Sequence, residues 1–199
     1  MTLTTAEFIL AQVDPLLGEV ISRHGHIESK STHGYFEALS SSIVGQQISV
    51  KAAAKIFNRF QDITDLQPEK VAHMSDEDIK AIGLSGRKSQ YLRDLAEHFL
   101  RDSAVFNHLH SLPDDEVVSE LTKVKGIGVW TAQMFLIFTL HRPDVFAPDD
   151  RGLQLAVEKL YDRSFTRSEL SHLAEKWSPY CSTACLHLWR SLENEPKLV

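Results

Sequence analysis

Leu121-Thr122-Lys123-Val124-Lys125-Gly126-Ile127-Gly128-Val129-Trp130-Thr131-Ala132 reads as the end of one helix, a Gly-x-Gly turn and the immediate start of an apolar helix. Two glycines allow positive φ and leave the neighbouring amides uncovered by side chains. The first N–H groups of the new helix have no intrahelical acceptor, so beside such a turn they form a seat for an anion. Lys123 and Lys125 flank that seat with positive charge. One phosphate of a nucleic-acid strand fits there without any base being read. A Gly-x-Gly between helices also serves as a plain short connection, and the twelve residues leave both readings open.

Outward from this hairpin, apolar residues recur at spacings of three and four, and alternating β-branched runs are nearly absent. A first helix is expected at Thr5–Val13, ending at Asp14-Pro15, where the proline opens the next. Residues 36–60 carry Leu39, Ile43, Ile48, Ala52, Ile56 and Phe60 at helical spacing, with a break at Val44-Gly45-Gln46-Gln47. Pro68 starts a short helix, Ser75 with Asp78 forms a capping box, and Gly83 ends that helix. Ser85 or Gly86 opens the next. Pro113-Asp114-Asp115-Glu116 is an acidic first turn. An irregular link over 141–150 precedes a helix near Arg151, Thr166 with Glu169 is another capping box, and Pro179 is expected to begin the last helix. The expectation is an all-α protein of eight to ten short helices.

The 199 residues are 43% hydrophobic and 24% charged, the balance of a globular chain and not of a disordered one. The net charge of −6 by itself argues against a nucleic-acid partner. Its distribution argues the other way. Residues 45–60, 80–101 and 122–142 each carry +3, leaving −15 to the rest. If those segments share a face, a polyanion meets local positive charge while the acidic remainder faces solvent. The apolar stretch 127–140 is shorter than the roughly 20 residues of a membrane span and reads as a core helix. The N-terminus lacks a basic region followed by an apolar one, so an intracellular protein is expected. Cys181 and Cys185 suit neither a bridge nor a cluster. The pairs His24/His26 and His108/His110 lack the carboxylate company of a zinc site.

The hairpin 124–132 resembles that of the helix-hairpin-helix DNA glycosylases. Asp144-Val-Phe-Ala-Pro-Asp-Asp150 resembles their catalytic loop. Ser42-Ile-Val-Gly-Gln-Gln-Ile-Ser49 and residues 177–190 are similar to the alkylation-repair branch, the bacterial 3-methyladenine glycosylases II and their yeast relatives. Gly83-Leu-Ser-Gly-Arg-Lys88 is a weaker match. These segments lie in the family's order over about residues 35–190, a collinearity more specific than any one motif.

The resemblance implies a compact two-lobed helical fold with the catalytic loop at the cleft. It implies one unit over 1–199, with a central lobe at 36–120, the hairpin and its helix at 121–140, and a second lobe from 1–35 with 141–199. It also makes Asp150 the catalytic carboxylate, while Asp149 is expected to cap the following helix. Breaking a sugar–base bond builds positive charge on the sugar, which a fixed carboxylate stabilises while orienting water. An N-alkylated purine is already cationic and leaves with little acid help.

Lyase-type relatives carry a Schiff-base lysine where this chain has Trp130, so a monofunctional enzyme is expected. Trp130 and Trp189 fall where the branch has pocket aromatics suited to a cationic ring. Met134 and Arg151 stand where the bacterial relative has tyrosines. A damaged base must be flipped out, and the Gln46-Gln47 turn is expected to supply the wedge, Gln47 above Gln46. Gly126, Gly128, Lys123, Lys125, Arg87 and Lys88 are the remaining expected DNA contacts.

The expected partner is double-stranded DNA containing alkylated bases, met by a monomer in the cytoplasm and nucleoid, or in the nucleus of a eukaryote. No membrane, iron–sulfur cluster, organic cofactor or side-chain metal site is expected, although the hairpin backbone can seat Na⁺ or K⁺ as in the family. Two other readings remain: a non-catalytic helix-hairpin-helix DNA-binding module, and a glycosylase for deaminated or mismatched bases.

Overall fold

The computed structural model describes residues 3–27 and 34–192. Among them are thirteen α-helices, one 3-10 turn and no strand. The chain clusters into two compact units. Of the described residues, one takes 3–27 and 136–192, and the other takes 34–135. The helix count exceeds the expected eight to ten in part because a one-turn segment such as Ser103–Phe106 is too short to show an amphipathic period.

The first unit holds α1 (Thr5–Val13), α2 (Pro15–His24), α11 (Arg151–Tyr161), α12 (Arg167–Glu175) and α13 (Cys181–Ser191). Leu10, Leu17, Ile21, Leu153, Val157, Trp177 and Leu188 are fully buried in its core. The Thr4 capping box opens α1 through Glu7. The buried Glu7 carboxylate also accepts from Ile27 N at 3.1 Å, His26 Nδ1 at 3.0 Å and His187 Nε2 at 3.2 Å. Burial pushes its pKa up, but the donors from Thr4, His26 and Ile27 outweigh it and bring it down to about 2.

Asp14 joins more distant parts of the chain. It is 2% exposed, and its Oδ1 caps α2 at Leu17 N (3.2 Å). Its Oδ2 accepts from Trp177 Nε1 at 2.7 Å, Lys176 Nζ at 2.9 Å and the Tyr161 hydroxyl. Burial raises its pKa, but the Tyr161, Lys176 and Trp177 donors hold it below the usual carboxylate range. Removing the carboxylate strands these donors, so Asp14→Ala should cost about 3–5 kcal/mol in denaturant unfolding. Because the folded pKa is depressed, this stabilisation is complete above pH about 4 and is lost as pH falls through the folded value. Melting temperatures of Asp14→Asn should therefore fall less steeply with acid than those of the parent.

The second unit holds α3 (Tyr35–Gly45), α4 (Val50–Thr64), α5 (Pro68–Ala72), α6 (Asp76–Ile82), α7 (Gly86–Arg101), α8 (Ser103–Phe106), a 3-10 turn (Leu109–Ser111) and α9 (Asp114–Leu121), and contains the start of α10 (Val129–Phe138). Phe36 and Phe106 flank Phe99 at ring distances of 5.1 and 5.0 Å, centring the core on α7. The Ser75–Asp78 capping box and the left-handed Gly83 bound α6 as the local pattern requires. Ser85 caps α7 through Lys88 N.

The start expected at Pro179 lies two residues early. Pro179 belongs to a turn with a cis Ser178–Pro179 bond, and α13 starts at Cys181, whose N–H donates to Asp144 Oδ1 at 3.3 Å.

Candidate active site and nucleic-acid interface

Gly126 has φ +85°, and a Cβ there would lie 2.2 Å from Tyr91 Cδ2. The turn therefore needs glycine twice over, for its dihedral and for its contact with α7. Gly128 was also expected to need positive φ, and it does not. Its surroundings are open for 4 Å, so the missing side chain serves to leave backbone uncovered.

The other two basic turns meet this one. Gln46 Nε2 donates to Gly126 O at 2.8 Å, and Lys88 Nζ donates to Val44 O at 2.7 Å. The hairpin, the end of α3 and the start of α7 are thus tied together. Gln46 is occupied as a strut. Gln47 is exposed beside it with a left-handed φ of 58°, which projects it from the turn.

The expected cations are less available than their count suggested. Lys123 pairs with Glu120 at 2.6 Å. Asp94 accepts both the Lys125 backbone N–H (2.8 Å) and Nζ (2.7 Å). Burial lowers the Lys88 pKa, and its ammonium serves the carbonyl of Val44. Arg87 is exposed at the first turn of α7. Both hairpin lysines are therefore already engaged by carboxylates, Lys123 by Glu120 and Lys125 by Asp94.

In the first unit, the link 141–150 is held against α13. Ser182 N donates to Pro143 O (3.0 Å), Ser182 Oγ to Arg142 O (2.6 Å), and Val145 N to Ser182 Oγ (3.1 Å). Beyond it, Asp150 N donates to Ala147 O at 3.0 Å, and Gln154 Nε2 donates to Pro148 O at 3.0 Å. Arg151 is exposed and donates Nη1 to Gln154 Oε1 at 3.2 Å.

Asp150 is 7% exposed. Its Oδ1 accepts from Leu153 N at 2.8 Å and from Trp189 Nε1 at 2.9 Å. It is therefore the N-cap of α11, the role expected of Asp149. Asp149 instead points outward to a bidentate pair with Arg167, at 2.7 and 3.2 Å. The correction has a local reason: only the residue directly before the first helical turn can reach the N–H three positions on. Since the Asp149 pair is exposed, Asp149→Ala should leave the thermal melt unchanged within error.

Of the expected pocket residues, Trp130 is 42% exposed and Met134 is 1% exposed, both on the part of α10 belonging to the second unit. Trp189 is 0% exposed, with its ring stacked on Phe138 (5.6 Å, 27°). The indole thus lies in the core, with no face open to solvent, and its N–H donates to Asp150.

Sequence reasoning missed Gln154, Asp94 and Tyr91. Gln154 follows Asp150 by one helical turn, a local signal. Asp94 and Tyr91 are separated from the hairpin by more than thirty residues. Among the described residues, no group of three or more His, Cys, Asp or Glu side chains could hold a metal ion, and no helix is long and apolar enough to cross a membrane.

Residues 40–179 match the pattern of the HhH-GPD superfamily base excision DNA repair proteins. DNA-3-methyladenine glycosylase 1 of Schizosaccharomyces pombe is 30% identical, over 96% of this chain and 88% of that protein. A longer Bacillus subtilis relative is 27% identical, with the chain spanning 66% of its length. The crystal structure of a DNA-3-methyladenine glycosidase from Bacillus halodurans aligns with a TM-score of 0.85 and 35% identity, covering 94% of this chain and 89% of that one. The structure of the S. pombe 3-methyladenine DNA glycosylase in complex with abasic DNA aligns with a TM-score of 0.84 and 29% identity, covering 98% and 100%.

Proposed function

Because the chain belongs to the HhH-GPD superfamily of base excision DNA repair proteins, we propose that it is a monofunctional DNA glycosylase. It hydrolyses the N-glycosidic bond of alkylated purines of the 3-methyladenine and 7-methylguanine type. The observation that carries this reading is Asp150, a carboxylate at the head of α11 with one oxygen fixed by two donors. A carboxylate so held stabilises the positive charge that develops on the sugar and orients the attacking water, with little reorganisation during the reaction. The leaving base is a cation before the bond breaks, so one carboxylate suffices. Trp130 stands at the hairpin position of the Schiff-base lysine, so no covalent intermediate forms there and the product is an abasic site.

The hairpin around Gly126 and Gly128 takes a backbone phosphate, with Lys123, Lys125 and Arg87 adding charge. Lys88 and Gln46 hold the turns in place, and Gln47 enters the gap left by the flipped base. A monovalent cation between that phosphate and the hairpin carbonyls fits this backbone. Val124 O and Gly126 O each accept one hydrogen bond and keep a second lone pair. Trp130, Met134 and Arg151 are assigned to recognition of the damaged base, and Asp150 to its release. The protein acts as a monomer on double-stranded DNA, in the compartment that holds the genome.

The test is release of free base from methylated duplex DNA, resolved by chromatography, with duplexes carrying deaminated or mismatched bases alongside. Release of methylated purines supports the reading. Binding without release identifies a non-catalytic module, and release only from the deaminated or mismatched duplexes moves the activity to another lesion class.

A further inference from the structure

We propose that Trp189 is a positioning residue for Asp150, acting through its indole N–H and not as a stacking surface for the base. This inference rests on the glycosylase reading of Asp150. The indole is closed to solvent, so a base could reach its face only if Phe138 or the surrounding core moved. The N–H reaches Asp150 Oδ1 at 2.9 Å, the same oxygen that Leu153 N engages at 2.8 Å. Two donors of different origin converge on one oxygen. The helix-cap donor holds it along the axis of α11, and the indole holds it from another helix, so the carboxyl plane is set by both.

The same helix holds both ends of the loop. Ser182 bonds Arg142, Pro143 and Val145 near its start, while Trp189 bonds its last residue. These two side chains stand seven positions apart, about two turns on one face of α13. The stacked Phe138 ring sets the rotation of the indole, and His187 on α13 bonds Glu7 of α1 at 3.2 Å. A rigid helix thereby sets the position of a carboxylate that lies at the end of an irregular segment.

Trp189→Phe keeps an aromatic ring against Phe138 and removes the donor along with part of the indole's volume. The single-turnover rate of base release should fall about tenfold or more, the loss of one charge-assisted hydrogen bond, while affinity for duplex containing an abasic site stays within about twofold. A rate unchanged in Trp189→Phe overturns the proposal, and so does a parallel loss of rate, affinity and melting temperature, which would mark a packing role. A second measurement is independent of turnover. The chain has three tryptophans, and the indole N–H resonance missing from Trp189→Phe belongs to residue 189. That resonance should shift in Asp150→Asn, and a static signal overturns the contact. Asp150→Asn run in the same assay separates the two failures. If it is inactive while Trp189→Phe is not, only this inference falls. If the parent releases no base, the glycosylase reading falls and takes the inference with it.

Discussion

Asp150→Asn should release alkylated purine from duplex DNA about 10²–10³-fold more slowly than the parent, the effect of removing one preorganised charge from a developing transition state. The substitution is unusually clean at this position. Asparagine caps helices about as well as aspartate, and its carbonyl oxygen can accept from both Leu153 N and Trp189 Nε1, the donors that engage Oδ1. The fold and the affinity for abasic-site duplex should therefore be retained while turnover is lost. Asp150→Ala removes the cap as well and should cost about 1 kcal/mol of stability beyond the loss of activity. Base release by Asp150→Asn within about threefold of the parent would remove this residue from the chemistry. Asp149→Ala is the control: its carboxylate faces Arg167, and base release should not change.

Gly126→Ala should damage the hairpin by two separable mechanisms. The φ of +85° costs a residue with a Cβ about 1–2 kcal/mol. The new carbon would also lie 2.2, 2.6 and 2.7 Å from three ring atoms of Tyr91, and relief of such overpacking costs about 1–3 kcal/mol. Denaturant unfolding of Gly126→Ala should show the sum, about 2–5 kcal/mol if the two add, with weakened duplex binding because Gly126 O is also where Gln46 is anchored. Tyr91→Ala in the same chain should recover the clash and leave the dihedral cost, a cycle that measures each. Gly128→Ala meets nothing within 4 Å. It should melt like the parent, yet bind duplex more weakly, because its methyl covers backbone that a phosphate must approach. Equal destabilisation by Gly126→Ala and Gly128→Ala would contradict the account of this turn.

Much of the local architecture was legible before the tertiary structure. The capping boxes at Thr166 and Ser75, the stop at Gly83 and the proline at the head of α2 all appear where short-range rules place them. Errors were also local in size: an aspartate cap displaced by one residue, a terminal helix displaced by two, and the one-turn helix at Ser103–Phe106 not anticipated. The charge pattern was half legible. Three basic segments were visible, and their turns do come together through Gln46, Lys88 and Tyr91. What the pattern could not show is that Asp94 takes Lys125 and Val44 takes Lys88. The Glu120–Lys123 pair, at i,i+3, is by contrast a short-range contact that helical spacing makes legible.

By itself the sequence determined most of the helices, the capping boxes at Ser75 and Thr166, and the glycine at the hairpin turn. These depend on backbone dihedrals and on hydrogen bonds spanning about four residues, which residue type controls directly. The tertiary structure decided which groups those elements engage: Gln46 on Gly126 across 80 positions, Trp177 on Asp14 across 163, and Trp189 on Asp150 across 39. Burial makes these partners obligatory, since an enclosed donor or carboxylate must be satisfied. Which partner satisfies it depends on how helices pack, and that information lies in no single stretch of the chain.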